Sequence, residues 1–128
     1  PQSINRIGGY RVQGRDPAQA DAMIDEALLL ERAGASLLLL ECVPVDLAKA
    51  ISERLGIPVI GIGAGPGTDG QIMVMHDMLG ITPPSIKLPR FVKNFAPESA
   101  DGSLQGAFKA YRDAVRSGAF PAPEHCFT

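Results

Sequence analysis

One acidic residue, Glu41, ends a strongly apolar run and is the first candidate for chemistry. The four residues before it are leucines, and Cys42-Val43-Pro44 follows it. A run this apolar is typical of a strand that is buried on both faces of a parallel sheet. Because burying a carboxylate costs free energy, an acid at the end of such a strand is expected to meet solvent or a ligand. Glu41 is therefore a candidate functional acid. The alternative is a carboxylate that caps the next helix or pairs with a basic residue.

A glycine-rich segment, Gly61 to Gly67, follows a second apolar run and could cradle a phosphate group. It matches neither the G-x-G-x-x-G pattern nor a Walker A loop, because Pro66 replaces a glycine and no Gly-Lys-Ser/Thr follows. Glycines also permit a tight turn and a close approach of the backbone. Both interpretations of the segment remain open.

The neighbouring residues His76 and Asp77 could act as an acid–base pair or bind a metal ion. On a strand, however, adjacent side chains point to opposite faces, and on a helix they diverge by about 100°. A structural hydrogen bond from one of them is the favoured interpretation. His125 is expected to be an exposed residue of the C-terminal tail.

Metal binding and nucleophilic catalysis have little support in the sequence. Hard cations need several converging oxygen ligands, whereas only Glu41 among the acids is well placed, so no metal ligand is predicted. There is no Gly-x-Ser-x-Gly motif, and Cys42 and Cys126 have no metal-binding or redox spacing. Two reduced thiols in a cytoplasmic protein are the simplest expectation.

The composition favours a folded domain and gives no sign of a nucleic-acid-binding or membrane-spanning protein. The 128 residues are 45% hydrophobic, and 12 basic residues against 14 acidic ones give a net charge of −2. No basic cluster indicates a nucleic-acid partner, and no apolar stretch is long enough to span a membrane.

The centre of the chain alternates between helical and strand patterns. A helix is predicted to begin at Asp16, with Pro17 in the first helical position and Gln19 completing a capping box, and to end at Gly34. After the leucine strand come a helix over 45–55 and a strand over 58–62. This order predicts an α/β fold with parallel strands.

The C-terminal half of the chain is less regular. Residues 71–79 favour a strand, although Ile72, Met75 and Leu79 also fit a helix. A proline-rich connection spans 83–97. One further helix is expected to end at Gly118, and a tail follows it. Its apolar face is predicted to consist of Leu104, Ala107, Phe108, Tyr111 and Val115.

Two or three parallel strands would leave bare sheet edges, which a folded domain avoids. An eight-stranded (β/α) barrel needs about 250 residues, and charged residues at the C-terminal ends of its strands face the active site. The pattern therefore predicts about half of such a barrel.

Six segments, in order along the chain, closely resemble ketopantoate hydroxymethyltransferase. Together they are highly specific, although none would suffice alone, and the resemblance covers effectively the whole chain. They are Gly8-Gly9-Tyr10-Arg11-Val12-Gln13-Gly14-Arg15, Leu39-Leu40-Glu41-Cys42-Val43-Pro44, Ile57-Pro58-Val59-Ile60-Gly61-Ile62-Gly63-Ala64-Gly65, Thr68-Asp69-Gly70-Gln71, Met75-His76-Asp77 and Phe91-Val92-Lys93-Asn94-Phe95.

The resemblance implies that residues 1–128 are the C-terminal half of a single (β/α)8 TIM barrel domain, including its last helix and tail. It further implies a homo-oligomer, a decamer in the bacterial enzymes. The implied reaction transfers a hydroxymethyl group from 5,10-methylenetetrahydrofolate to 3-methyl-2-oxobutanoate, giving 2-dehydropantoate for pantothenate biosynthesis. The family's catalytic proton acceptor falls on Glu41.

The resemblance covers only the C-terminal half of the family's barrel. It implies Mg²⁺ as cofactor, but the magnesium carboxylates and the serine and lysine that hold the oxo acid belong to earlier strands, outside these 128 residues. This chain would thus carry the base without the metal site, and is expected to be inactive by itself. The alternatives are a phosphate- or nucleotide-binding α/β domain that uses Gly61–Gly67, and an inert structural half-barrel.

Overall fold

The computed structural model describes residues 5, 6, 9 and 11–128, and it shows an α/β arrangement around a small parallel sheet. Part of the loop predicted over residues 1–15 lies outside the described residues. The helices are α1 (Pro17–Arg32), α2 (Val45–Arg54), α3 (Met75–Met78) and α4 (Leu104–Ser117), with short 3-10 helices at Ala96–Glu98 and Pro123–His125. The strands are β1 (Leu38–Glu41), β2 (Val59–Ile62) and β3 (Gly70–Gln71).

Helix α1 begins as its sequence predicts, although its capping box is only half formed. The Asp16 carboxylate accepts a hydrogen bond from the Gln19 amide at 3.1 Å, and Pro17 occupies the first turn. The Gln19 side chain does not return to the backbone of Asp16. Its oxygen instead accepts a hydrogen bond from the Gly14 amide at 2.8 Å, which ties the preceding loop to the helix.

The sheet has the order β1-β2-β3 with both pairs parallel, as predicted for the first two strands. Helices α1 and α2 cover one face of it. The core on this face contains Ala27, Leu40, Val43, Leu47, Ala48, Ile51, Val59 and Ala64.

The prediction that the leucine strand is buried on both faces is wrong for this chain. Leu40 is 7% exposed on the face toward the helices, whereas Leu37 and Leu39 are 52% and 49% exposed. The physical reason is that, among the described residues, helices cover only one face of β1. The bare face carries Leu39 and Glu41, side chains two residues apart on the strand.

The strand predicted over residues 71–79 is also largely wrong. Strand β3 contains only Gly70 and Gln71, and helix α3 follows after Val74. Met78 and Leu79 are buried while Ile72 is 45% exposed. The apolar residues of this segment fit both the strand period and the helix period. A helical turn forms because it packs Met78 and Leu79 against α4 and its neighbours.

A second core forms where α4 packs on the loops. It contains Met78, Leu79, Phe95, Ala107 and Phe120, with Tyr111 and Val115 beside them. The predicted apolar face of α4 is wrong at two positions, because Leu104 and Phe108 are 63% and 41% exposed. The packed face is turned toward the small residues Ala107, Ala110 and Ala114, which let the helix approach closely. The helix ends at the predicted Gly118, whose φ of 75° is left-handed.

The described residues form a sheet of three parallel strands and do not by themselves form an eight-stranded barrel. Among the helices of the described segments, none has the length and apolarity needed to cross a bilayer.

Candidate active site

Glu41 is the last residue of β1 and is exposed, at the end where the sheet's strands terminate. It is in register with Ile62, the last residue of β2. The structure thus places the predicted site residue where two neighbouring parallel strands end side by side. This is the edge at which α/β folds assemble their ligand sites.

The turn that follows Glu41 is held in an uncommon backbone conformation. Cys42 has a φ of 54°, in the left-handed region that residues other than glycine seldom adopt. Its amide donates to the Ile62 carbonyl at 3.0 Å, and its carbonyl accepts from the Gln13 amide at 3.1 Å. The Val43 amide donates to the Gly63 carbonyl at 3.2 Å. Three bonds to two distant segments therefore fix the backbone beside the carboxylate.

Neither structural alternative for Glu41 is realised among the residues that the structure describes. The N-cap of α2 is Pro44, which has no side-chain capping bond. The ion pairs of the described residues join other groups: Lys49 to Glu53, Lys93 to Glu98, and Lys109 and Arg112 to Asp113. No side-chain hydrogen bond or ion pair joins the Glu41 carboxylate to another described residue, and the side chain lies on the bare side of the sheet.

The glycines of the 61–67 segment are explained by close packing. A Cβ atom on Gly63 would lie 2.5 Å from Phe91, one on Gly65 would lie 2.6 Å from Val45, and one on Gly67 would lie 2.8 Å from Lys49. Each position would clash with a side chain of a neighbouring segment. These contacts require glycine without any bound phosphate, and they favour the turn interpretation.

Polar side chains in residues 68–71 bond this link to the glycine segment and to strand β2. The Gln71 amide nitrogen donates to the Gly65 carbonyl and to the Thr68 hydroxyl, both at 2.9 Å. The Asp69 carboxylate accepts from the Val59 amide at 2.8 Å. Sequence reasoning assigned no role to these residues, although the Thr68-Asp69-Gly70-Gln71 motif contributed to the resemblance. The available signal was the presence of polar residues in a short link between two strands, which could have indicated side-chain hydrogen bonds to the backbone.

His76 and Asp77 do not form a joint site. They lie on helix α3, where His76 is exposed and the Asp77 carboxylate accepts a hydrogen bond from the Thr82 hydroxyl. This agrees with the expected structural hydrogen bond for one of the two. Within the described part of the chain, no group of three or more His, Cys, Asp or Glu side chains could hold a metal ion.

Both cysteines are partly buried free thiols. Burial raises the pKa of the Cys42 thiol, and the negative charge of Glu41 raises it further. Burial, with a smaller contribution from Glu124, likewise raises the pKa of the Cys126 thiol. The thiolate is the reactive form, so neither residue is prepared to act as a nucleophile near neutral pH.

The expectation that His125 is exposed is wrong, since its ring is partly buried against Phe120 with ring centroids 5.0 Å apart. Its Nδ1 accepts a hydrogen bond from the Ala122 amide at 3.1 Å. The Cys126 thiol donates to the Ala122 carbonyl at 3.3 Å. Both groups therefore serve the local structure of the tail.

Comparison with known proteins indicates the same family that the sequence motifs resemble. The family model for ketopantoate hydroxymethyltransferase matches residues 1–123. The 3-methyl-2-oxobutanoate hydroxymethyltransferase 2 of Hahella chejuensis is 58% identical over 127 residues, which are 99% of this chain and 47% of that protein. The 3-methyl-2-oxobutanoate hydroxymethyltransferase of Alkalilimnicola ehrlichii is 59% identical over 127 residues, covering 99% of this chain and 44% of that protein.

The chain spans about half the length of the curated relatives it matches. The family match nevertheless runs through Glu41, the turn after it, the glycine segment and helix α4. On this match, the chain belongs to the ketopantoate hydroxymethyltransferase family.

Proposed function

We propose that the protein containing this chain transfers a hydroxymethyl group from 5,10-methylenetetrahydrofolate to 3-methyl-2-oxobutanoate, giving 2-dehydropantoate, with Glu41 as the general base. The observation that carries this proposal is the position of Glu41. It is an exposed carboxylate at a strand end, on a turn fixed by three backbone hydrogen bonds, in a chain of this family.

The proposed reaction breaks the C3–H bond of the oxo acid and passes the proton to Glu41. The electron pair left at C3 forms an enolate with the neighbouring carbonyl, and C3 then bonds to the one-carbon unit of the folate. Both bonds between the one-carbon unit and the folate nitrogens break, and one water supplies the hydroxyl group of the product. The second water proton and the C3 proton held by Glu41 restore the two folate N–H groups, so the reaction consumes one water overall. A positioned base typically contributes ~10²–10⁴-fold to such a proton transfer.

The role of the turn is to place the carboxylate accurately. A base must lie within hydrogen-bond reach of the proton it removes, and a displacement of about 1 Å can cost ~10²-fold in rate. Glu41 is connected to the rigid turn through Cys42, whose amide and carbonyl are both hydrogen bonded. A carboxylate on a fixed backbone suits a catalytic role better than one on a freely moving surface loop.

The described residues do not fit a Mg²⁺ site, since no cluster of suitable side chains is formed among them. We propose that the magnesium ligands and the groups that hold the oxo acid lie on other strands of the complete barrel. When bound there, the cation would stabilise negative charge on the oxo acid.

The bare face of the sheet supports a longer folded unit. Leu39 of β1 is 49% exposed, and Leu37 and Ile72, which adjoin β1 and β3, are 52% and 45% exposed. Such exposure is unfavourable for large apolar side chains. We propose that the remaining strands of a (β/α)8 barrel cover this face, and that the complete enzyme is a homo-oligomer, expected to be a decamer.

The test uses the longest natural polypeptide that contains these 128 residues. Incubated with both substrates and Mg²⁺, it should form 2-dehydropantoate, and no product should form when either substrate is omitted. The contrasting measurement is the exchange of backbone amides with and without inorganic phosphate. Absence of product, together with phosphate-dependent protection of the amides of 63–67, would favour the phosphate-binding alternative.

A further inference from the structure

The C-terminal tail, residues 126–128, is bonded to three separate segments around the turn after Glu41. The Cys126 carbonyl accepts a hydrogen bond from the Arg90 guanidinium at 3.3 Å. The Phe127 carbonyl accepts one from the Val45 amide at 3.0 Å, and the Thr128 carbonyl accepts one from Nε of Arg15 at 2.8 Å. Three consecutive carbonyls are therefore each used to fix the tail in one place.

The bond to Val45 meets a specific need of helix α2. Val45 is the first residue of that helix, and its amide is one of the donors that a helix cannot satisfy internally. Pro44 occupies the N-cap position without a side-chain bond. The Phe127 carbonyl thus replaces the missing cap, only four residues beyond Glu41.

The ring of Phe127 extends this contact to the second strand end. It meets Phe91 edge-on, with ring centroids 6.4 Å apart and planes at 76°. Phe91 is 6% exposed and presses on Gly63, whose carbonyl accepts the bond from the Val43 amide. The tail therefore supports the same turn from two sides, by a backbone bond at Val45 and through Phe91 and Gly63 at Val43.

The turn has a reason to need support. The left-handed conformation of Cys42 is costly for a residue with a side chain, so it persists only where surrounding contacts determine it. The tail bonds directly to Val45 and reaches Val43 only indirectly, through Phe91 and Gly63, and both valines follow closely after Cys42. Loss of the tail would free the turn to relax and would move the carboxylate of Glu41.

We propose that Phe127 is a positioning residue for Glu41, holding the turn 42–45 through its backbone carbonyl and its ring. This inference rests on the proposed function for its catalytic consequence. The family match ends at residue 123, so it assigns no role to the tail.

The first experiment compares Phe127→Ala and Phe127→Tyr in the complete enzyme. Removing the ring should lower kcat by about 10–100-fold, as expected for a misplaced base, with KM for the oxo acid changed less than about twofold. The tyrosine variant keeps the ring and should recover most of the activity. Phe108→Ala removes a 41% exposed ring of α4 and serves as the control, with activity unchanged.

Unchanged kcat in Phe127→Ala would overturn the proposal. The proposal would also be overturned if Phe127→Ala and Phe127→Tyr lowered kcat, substrate affinity and melting temperature to the same extent as each other. That pattern would indicate general destabilisation of the protein. Slower exchange of the substrate's C3 proton, in proportion to the fall in kcat, would support it. That exchange reports the step assigned to Glu41.

The second experiment measures the hydrogen bond without relying on turnover. Val45→Pro deletes the amide donor at a helix position that tolerates proline, and the ψ of 142° at Pro44 suits a following proline. Val45→Ala keeps the amide and loses the side chain. Backbone amides of 126–128 should exchange faster with solvent deuterium in Val45→Pro than in Val45→Ala. Equal exchange rates would show that the bond does not hold the tail.

The two experiments separate failure of this inference from failure of the proposed function. If the unmodified complete enzyme forms no dehydropantoate, the proposed function is wrong and with it the catalytic consequence of the tail. Amide exchange in the Val45 variants would still decide whether the tail fixes the turn.

Discussion

Tyr111 has a hydroxyl oxygen that is buried in the second core without a hydrogen-bond partner among the described protein groups. Its ring meets Phe95 and Phe120 edge-on, with centroids 5.3 Å and 5.9 Å away. Burial in this aromatic cluster raises the pKa of Tyr111 to about 12, compared with 10.0 for an unperturbed tyrosine. The neutral phenol is therefore the form that the folded core accepts.

This shift predicts a loss of stability at high pH. The unfolded chain releases the Tyr111 proton near pH 10 and the folded chain only near pH 12, so the stabilisation is complete below pH 10 and is lost as the pH rises to 12. Because the side chain is only partly buried, screening limits the effect to about 1 kcal/mol. Urea unfolding of the complete protein at pH 9 and 11 measures it. Tyr111→Phe should lose less stability over this range, and identical losses would refute the assignment.

Some features of individual residues follow from the local sequence, and others depend on contacts between distant segments. The position of Glu41 was predictable because an apolar run ending in an acid is a local pattern. The left-handed conformation of Cys42 was not, because it depends on bonds to Gln13, Ile62 and Gly63, which are distant in sequence. The partners of Gln71 were not predictable for a different reason. Gly65 and Thr68 are near it in sequence, but only the folded conformation of the link brings them to its side chain.

At the scale of elements, local signals fixed the helix ends best. Asp16 caps α1 and Gly118 ends α4, as predicted. Strand β3 and helix α3 could not be separated, because a short apolar segment fits both periods until its packing partners are known. The same dependence on partners explains the error at Leu104 and Phe108, which fit the helical period but are exposed.

The cap of α4 yields a stability prediction. The Ser103 hydroxyl oxygen accepts a hydrogen bond from the Gly106 amide at 2.9 Å. Ser103→Ala should lower the free energy of unfolding by ~1 kcal/mol, the usual value for a lost N-cap. Ser117→Ala removes a hydroxyl at the other end of the same helix and should change it by less than about 0.5 kcal/mol. Chemical denaturation of both variants provides the comparison, and equal effects would contradict a capping role for Ser103.

At the scale of the whole molecule, the sheet's uncovered face is the dominant feature. Two of the four consecutive leucines, Leu37 and Leu39, are 52% and 49% exposed, and β3 has only two paired residues. The fold class and the parallel order of β1 and β2 followed from the alternation of helical and strand patterns. The closure of a barrel could not be derived from these residues, because three strands cannot close one and further strands would have to pair with them.

The exposed face predicts the behaviour of a polypeptide limited to these 128 residues. Such a polypeptide should be poorly folded or associated, because the apolar face and the sheet edges lack partners. Sedimentation and calorimetry test this directly. A monodisperse monomer with one cooperative thermal transition would contradict the expectation.

The central claim, that Glu41 removes the C3 proton of the oxo acid, is tested most directly by Glu41→Gln in the complete enzyme. Glutamine keeps the size and much of the hydrogen bonding of glutamate but cannot accept the proton. Both turnover and exchange of the C3 proton with deuterated solvent should fall by ~10²–10⁴-fold, while Mg²⁺ and oxo-acid binding remain nearly unchanged. Proton exchange at the unmodified rate, or loss of metal binding in this variant, would contradict the account.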